Sequence, residues 1–420
     1  MKKRILFICA NETDYRELKL LKQDKYEIIF HPYDQQYIWN LCYNSESKLN
    51  YENFFQDLKN DELVNSCDGI LSVEDYPGTL ILSMLCYELG LPGPNPKSVL
   101  SGQHKYYCRL IQKSAIETAA VEVEIFHPKK LDQISFNFPR FVKPVKSVFS
   151  ANSLAVYNLD DLKNKLPHLV IKENLYQIFD IALKKYTDFQ YDSSYLIAEQ
   201  LLDGEQCTLE GYVFNQEVEI IGITDSIMYD GTICFKRFEY PSKLPHEVQL
   251  KMYDYAKKLI SALNLDNTMF NIEFMYNEKE NYIKIIEINP RMASQFADLY
   301  EKVDGVNGYE FALAIAAGQR PEVTRRSSEY KVGASCVFRN FKDQKVLQVP
   351  NEKEIEEVQN LCEAARIEIY ATAGKNLSYH EQDGKSFRYG VVNIGAQSWQ
   401  ELYKKEELCK KILQFKFADI

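Results

Sequence analysis

A chain of 420 residues exceeds the size at which one hydrophobic core keeps growing, so roughly two to four domains or subdomains are expected. The composition is that of an ordinary soluble globular protein, with 45% hydrophobic and 26% charged residues. With 50 basic against 60 acidic residues the formal net charge is −10, which argues against phosphate-backbone binding and hence against a nucleic-acid partner.

The 10 cysteines form no CxxC pair, and several lie inside apolar runs. That pattern reads as reduced core thiols, not as a disulfide framework or a zinc site. The basic start MKKRILFICA ends its apolar run at Asn11, too short for a signal peptide, and no segment approaches the roughly 18 apolar residues of a membrane span. A cytoplasmic location with no membrane partner is the expectation.

In chain order, Arg4–Ala10, Tyr26–Phe30 and Asp68–Val73 are short apolar runs separated by helical stretches, the last followed by a helical pattern over Thr79–Leu89 with Gly90 as its stop. They predict a parallel sheet covered on both sides, a small α/β domain over residues 1 to about 95 without a GxGxxG turn. The proline-punctuated LPGPNPKS (Leu91–Ser98) leads into a helix with Lys105, Arg109 and Lys113 at i, i+4 and i+8. Such a stripe is usually a solvated face, and only its place before the next element raises Lys105 above that.

From Pro139 the sequence predicts a strand with Lys143, a turn of small residues and a second strand. The turn, with Ser147, Ser150, Ala151, Asn152 and Ser153, could lay backbone N–H groups over a polyphosphate, but it has no glycine and its composition favours a plain hairpin. Ser194–Leu202 reads as a strand that turns at Asp203-Gly204 and returns as Glu205–Phe214. Phe235–Pro245 reads as a basic, aromatic loop whose Lys236 and Arg237 either face an anionic substrate or are surface scatter. An amphipathic helix follows through Val248, Met252, Ala256, Leu259, Ile260 and Leu263.

Met269–Arg291 carries the sharpest signal. Phe270, Ile272, Phe274 and Tyr276 alternate with Asn271, Glu273 and Met275, the polar stretch Asn277–Asn281 turns the chain, and the apolar run resumes through Ile288. Side chains repeat every two residues on a strand, so a turn near Lys279 or Glu280 sets Glu273 opposite or diagonal to Glu287, with Asn271 and Asn289 on the same face. Either this face is solvated, or the two carboxylates and an amide hold Mg²⁺. Asn307–Ala317 is a helix stopped by Gly318 and Pro321. From about Val332 short strands surround two helices, one of them Glu352–Ala365, and predict a separate α+β module.

This order of elements resembles the ATP-grasp superfamily in its carboxylate-amine ligase and biotin-carboxylase-like branch. The resemblance runs through LPGPNPKS, the Lys105 helix, FVKP with Lys143, AEQLLDGE, FNIEF and IIEINPR. It implies an α/β and α+β protein: a Rossmann-like pre-ATP-grasp domain over 1–100, a two-part ATP-grasp domain over 101–325 with a lid at about 125–190, and a C-terminal α+β domain over 326–420. It further implies that Lys105 and Lys143 meet ATP phosphates, with Ser150 of the lid loop a nucleotide-binding candidate whose phosphate contact stays open, that Glu199, Gln200, Leu201 and Leu202 form the adenine hinge, and that Glu205 binds the ribose. Glu273, Glu287 and Asn289 correspond to ligands of Mg²⁺ (or Mn²⁺), and Arg291 to the arginine that meets a carboxylate or acyl-phosphate.

Two features depart from the family pattern. The lid loop KSVFSANS lacks glycine, and Gln295 stands where biotin carboxylases have a glutamate; there is also no MKM biotinylation motif. The implied activity is ATP-dependent ligation of a small-molecule carboxylate to an amine (or thiol) through an acyl-phosphate, with release of ADP and phosphate. A biotin-carboxylase-like enzyme, a carboxylate kinase and a non-catalytic nucleotide-binding regulator are the alternatives, and a homodimer is left open.

Overall fold

The structure, a computed structural model, describes residues 2–21, 24–43, 50–147, 153–169, 173–322, 328–379 and 386–420. The N-terminal strands Lys3–Phe7, Tyr26–Phe30 and Gly69–Leu71 form the expected parallel sheet, with Lys3–Phe7 in the middle. Helix Gly78–Leu89 ends on Gly90 at φ 68, a left-handed cap that a glycine adopts without strain. This domain packs closely on the rest of the chain. A Cβ on Gly69 would lie 1.9 Å from the carbonyl oxygen of Ala316, so only glycine lets that strand approach helix Gly308–Ala316.

A four-stranded antiparallel sheet lies largely within the range expected for a lid, in the order Val123–Phe126, Leu196–Glu199, Arg140–Pro144, Leu154–Val156. Its own core comprises Phe126, Phe136, Val142, Val156, Leu162, Leu169, Leu196 and Ala198. Helix Gln177–Tyr186, inside the range expected for the lid, instead packs Ile178, Phe179, Ala182 and Leu183 into the main core shared with the N-terminal domain.

The third layer is an eight-stranded sheet that corrects three expectations. Glu205–Phe214 does not return as the partner of Leu196–Glu199. The latter belongs to the four-stranded sheet, whereas the former pairs with Glu217–Met228 and Thr268–Asn277 in the large sheet. The chain crosses between sheets at Gly204, whose φ of 139 and close approach to the Tyr276 carbonyl exclude a side chain. Phe235–Tyr240 is a strand and not a loop, with Lys236 as the extra residue of a bulge between Phe235 and Arg237. The C-terminal strands Val332–Asn340, Phe387–Ala396 and Arg366–Ile369 continue the same sheet beyond Phe235–Tyr240, so the segment does not stand as a separate module. Its acidic helix stops at Leu361, short of the expected Ala365, and Ala364 follows at φ 56. No described helix is long and apolar enough to cross a membrane.

Three buried carboxyls set a pH dependence. Asp14, Glu74 and Glu210 are each pushed up to about 7 by burial, although each accepts two hydrogen bonds: from Tyr309 and Asn11, from Trp39 and Gly78, and from Ala293 and Tyr300. A carboxyl whose folded value lies above its unfolded one contributes stability that is full below the unfolded value and lost as pH rises through the folded one. His104, pushed down to about 4 by burial, acts in the opposite sense below 6.5. Stability should therefore fall most steeply between about pH 5.5 and 6.5, where the folded state still holds protons that the unfolded chain has released, and level off above about pH 7.5, with a slope on the order of 1 kcal/mol per group per pH unit. Urea unfolding across pH 5.5 to 8.5 (about three units) checks this; a flat profile contradicts it.

Candidate active site

The hairpin Thr268–Asn277 and Tyr282–Asn289 pairs Glu273 directly with Glu287 and Asn271 with Asn289. Phe270, Ile272 and Phe274, all fully buried, hold its other face in the main core at about 1.5–3 kcal/mol each, so a slip of register that would turn the carboxylates inward is costly. Asn289 donates through Nδ2 to Asn271 Oδ1 at 3.0 Å, and Asn271 donates to the Arg291 carbonyl at 3.0 Å. Burial and the adjacent Glu287 raise the Glu273 carboxyl, while Lys105, Lys143 and Lys146 hold Glu287 low against the effect of burial. Two converging carboxylates and an amide carbonyl are a hard-oxygen donor set, and a divalent cation between them would relieve the repulsion that raises Glu273; the residues present fit Mg²⁺ or Mn²⁺.

Cations close over this pair. Lys105, at the start of helix Lys105–Ala115, lies 3.2 Å from Glu287, which holds its ammonium high against burial. Lys143, on strand Arg140–Pro144, lies 2.8 Å from Glu199, and Arg109 lies 2.6 Å from the other oxygen of the same carboxylate. These two cations hold Glu199 at about 2 in spite of its burial. Arg109 is 3% exposed and is no part of a solvated stripe. Beyond Glu199 it donates to Gln112 and to the carbonyls of Ile285 and Ile286. Those successive carbonyls are available together because the hairpin bulges at Ile286, between the pairs Glu273–Glu287 and Phe274–Ile285.

Arg291 follows the hairpin and faces Asp75 at 3.6 Å. Gln200, Leu201 and Leu202 follow the Leu196–Glu199 strand as irregular backbone, Gln200 donating to the Glu122 carbonyl. Glu205 is exposed at the start of its strand, opposite Tyr276. Lys236 is partly exposed, and its ammonium pairs with no described residue. Arg237 does not face a substrate: Glu239 and Glu406 bind it and Tyr403 stacks on it. Ser150 lies outside the described residues.

Sequence reading missed Asp75 and Lys146, which pair at 3.2 Å beside Arg291. Lys146 is the first residue of the KSVFSANS segment, three residues beyond Lys143, and that was its only signal. Also missed was Gln206, which donates to Glu273 at 2.8 Å. Among the described residues the carboxylates Glu17, Asp298 and Glu301 also cluster, but Arg16, Arg366 and Lys302 already pair with them, and they serve as a charge network between domains.

The family model described as the ATP-grasp domain matches residues 136–298. An uncharacterized protein, y4rH, of Sinorhizobium fredii is 23% identical over 267 residues, 60% of this chain and 50% of that protein. The carbamoyl phosphate synthase large chain of Clostridium acetobutylicum is 27% identical over 183 residues, 43% of this chain and 15% of that one. The chain thus spans half or less of the length of these curated relatives. Among solved structures, an L-amino acid ligase from Bacillus licheniformis superposes with a TM-score of 0.73 at 16% identity, covering 100% of this chain and 99% of that one. At that identity the likeness is one of fold.

Proposed function

We propose, from the match of residues 136–298 to the ATP-grasp domain and from the shared fold, that the chain is an ATP-dependent ligase that activates a small-molecule carboxylate as an acyl-phosphate for attack by an amine. The observation that carries this reading is the convergence of Glu273 and Glu287 across one hairpin with Lys105 and Arg291 beside them. In this reading Glu273, Glu287 and Asn289 hold Mg²⁺ or Mn²⁺. When bound, the cation supplies neutralisation of phosphate charge and polarisation of the group in transfer.

The chain's own residues position and neutralise. Lys105 and Lys143 meet the phosphates of ATP, with Lys146 from the same lid. Glu199 to Leu202 border the adenine and Glu205 the ribose. Arg291 stabilises the charge that develops on the acyl-phosphate, and Lys236, whose ammonium has no partner among the described residues, is the candidate cation for the anionic substrate. Burial lowers the ammonium of Lys143, and Arg109 and Lys105 add to that against Glu199, so phosphate binding there would relieve a like-charge crowd.

Gln295 separates this reading from bicarbonate activation. Its Nε2 donates to Ser335 Oγ at 2.8 Å, and an amide cannot take a proton near neutral pH. Release of ADP and phosphate should therefore be stimulated by an amino acid or related carboxylate paired with an amine, and not by biotin with bicarbonate. A screen of purified protein against both substrate classes tests it. Carboxylation of free biotin, or release of AMP and pyrophosphate, would overturn the assignment, because the γ-phosphate is the group transferred.

A further inference from the structure

We propose that Asp75 is a positioning residue that fixes the lid's Lys146 and the hairpin's Arg291 to one point, so that the lid closes and Arg291 is oriented together; the inference rests on the ligase reading above. Asp75 lies in the loop between strand Gly69–Leu71 and helix Gly78–Leu89. Its backbone carbonyl accepts from Gln103 Nε2 at 2.9 Å, which anchors the loop to helix Pro96–Gln103. One carboxylate oxygen meets Lys146 Nζ at 3.2 Å and the other faces Arg291 Nε at 3.6 Å.

Asp75 Oδ1 and Arg291 Nε are both buried and without a hydrogen-bond partner. Opposite charges left in that state are costly, and an approach of a few tenths of an ångström would join them by an N–H···O bond. Lys146 is 2% exposed, with Tyr76 beneath its ammonium at 5.2 Å. The lid backbone next to it is also tied down: Val145 accepts from the Lys105 N–H at 2.9 Å and donates to the Tyr195 carbonyl at 3.1 Å. The N-terminal domain, the lid and the end of the metal hairpin therefore meet at one carboxylate. Asparagine would fill the same space, but it could not hold two cations.

The test uses the full chain as wild type, Asp75→Asn, Asp75→Glu, Lys146→Met and the Asp75→Asn/Lys146→Met double variant. Without nucleotide, amide exchange at Val145 and Lys105 should speed up about tenfold in Asp75→Asn and return toward wild type in Asp75→Glu, with helix Gly78–Leu89 unchanged. In turnover, kcat should fall about tenfold or more while KM for ATP moves less, and the double variant should be no worse than its worse parent. Unchanged exchange in Asp75→Asn overturns the proposal. Equal acceleration in Asp75→Asn and Asp75→Glu that spreads through Gly78–Leu89 also overturns it, since that marks a packing role. The expected exchange pattern in a protein that turns over ATP with no substrate pair supports the role of Asp75 and overturns the ligase reading.

Discussion

Replacement of Glu287 by Gln should lower ATP turnover about a hundredfold or more while the protein stays folded, which is the usual loss when one preorganised electrostatic group is removed. Glutamine keeps the volume and a carbonyl oxygen, so the strand Tyr282–Asn289 and its pairing with Thr268–Asn277 have no steric reason to change. The carboxylate is 30% exposed at its side chain, and it both attracts Lys105 at 3.2 Å and repels Glu273. Losing the attraction of Lys105, Lys143 and Lys146 outweighs the relief of Glu273, so the variant should be somewhat less stable yet folded, whereas a divalent cation loses one of two anionic ligands. Magnesium with ATP should raise the melting temperature of wild type through binding to the native state, and should fail to do so in the variant. Turnover equal to that of wild type would show that the metal assignment is wrong.

What the sequence disclosed about the site was local parity. Alternation over Phe270–Tyr276 and the polar turn at Asn277–Asn281 set Glu273 opposite or diagonal to Glu287 without any knowledge of the rest of the chain, and the structure pairs them directly. The helices Gly78–Leu89, His246–Ala262 and Gly308–Ala316 were legible in the same way, from period and stop signals. Sheet membership was not. Leu196–Glu199 and Glu205–Phe214 read as two strands about an Asp-Gly turn, yet contacts made 74 and 79 residues away decide the crossing: Asn277 donates to the Asp203 carbonyl and the Asp203 N–H to Tyr282. The C-terminal strands were visible individually, but not their joining to Phe235–Tyr240. Asp75 and Lys146 are 71 positions apart and neither lies in a periodic pattern, so only the closed fold brings them together.

Arg109 was equally hidden, because a basic residue on an amphipathic helix gives no sign that a bulge will offer it two carbonyls, and its replacement by Met should be the most damaging single change to stability. The guanidinium joins three parts of the structure: its own helix through Gln112, the lid through Glu199, and the hairpin through Ile285 and Ile286. Met fills much of the space but leaves a buried carboxylate with Lys143 alone and two carbonyls without a donor, an arrangement that costs about 3–5 kcal/mol. Lysine should rescue little, since one ammonium cannot span the acceptors that a planar fork reaches at once. Adding Glu199→Gln to Arg109→Met should recover part of the loss by removing the orphaned charge, a non-additivity expected of groups in one network. Urea unfolding of the three variants measures this. A loss below about 1 kcal/mol in Arg109→Met would mean that the lid and the hairpin are held together by apolar packing instead, and that Glu199 is kept ionised by Lys143 alone.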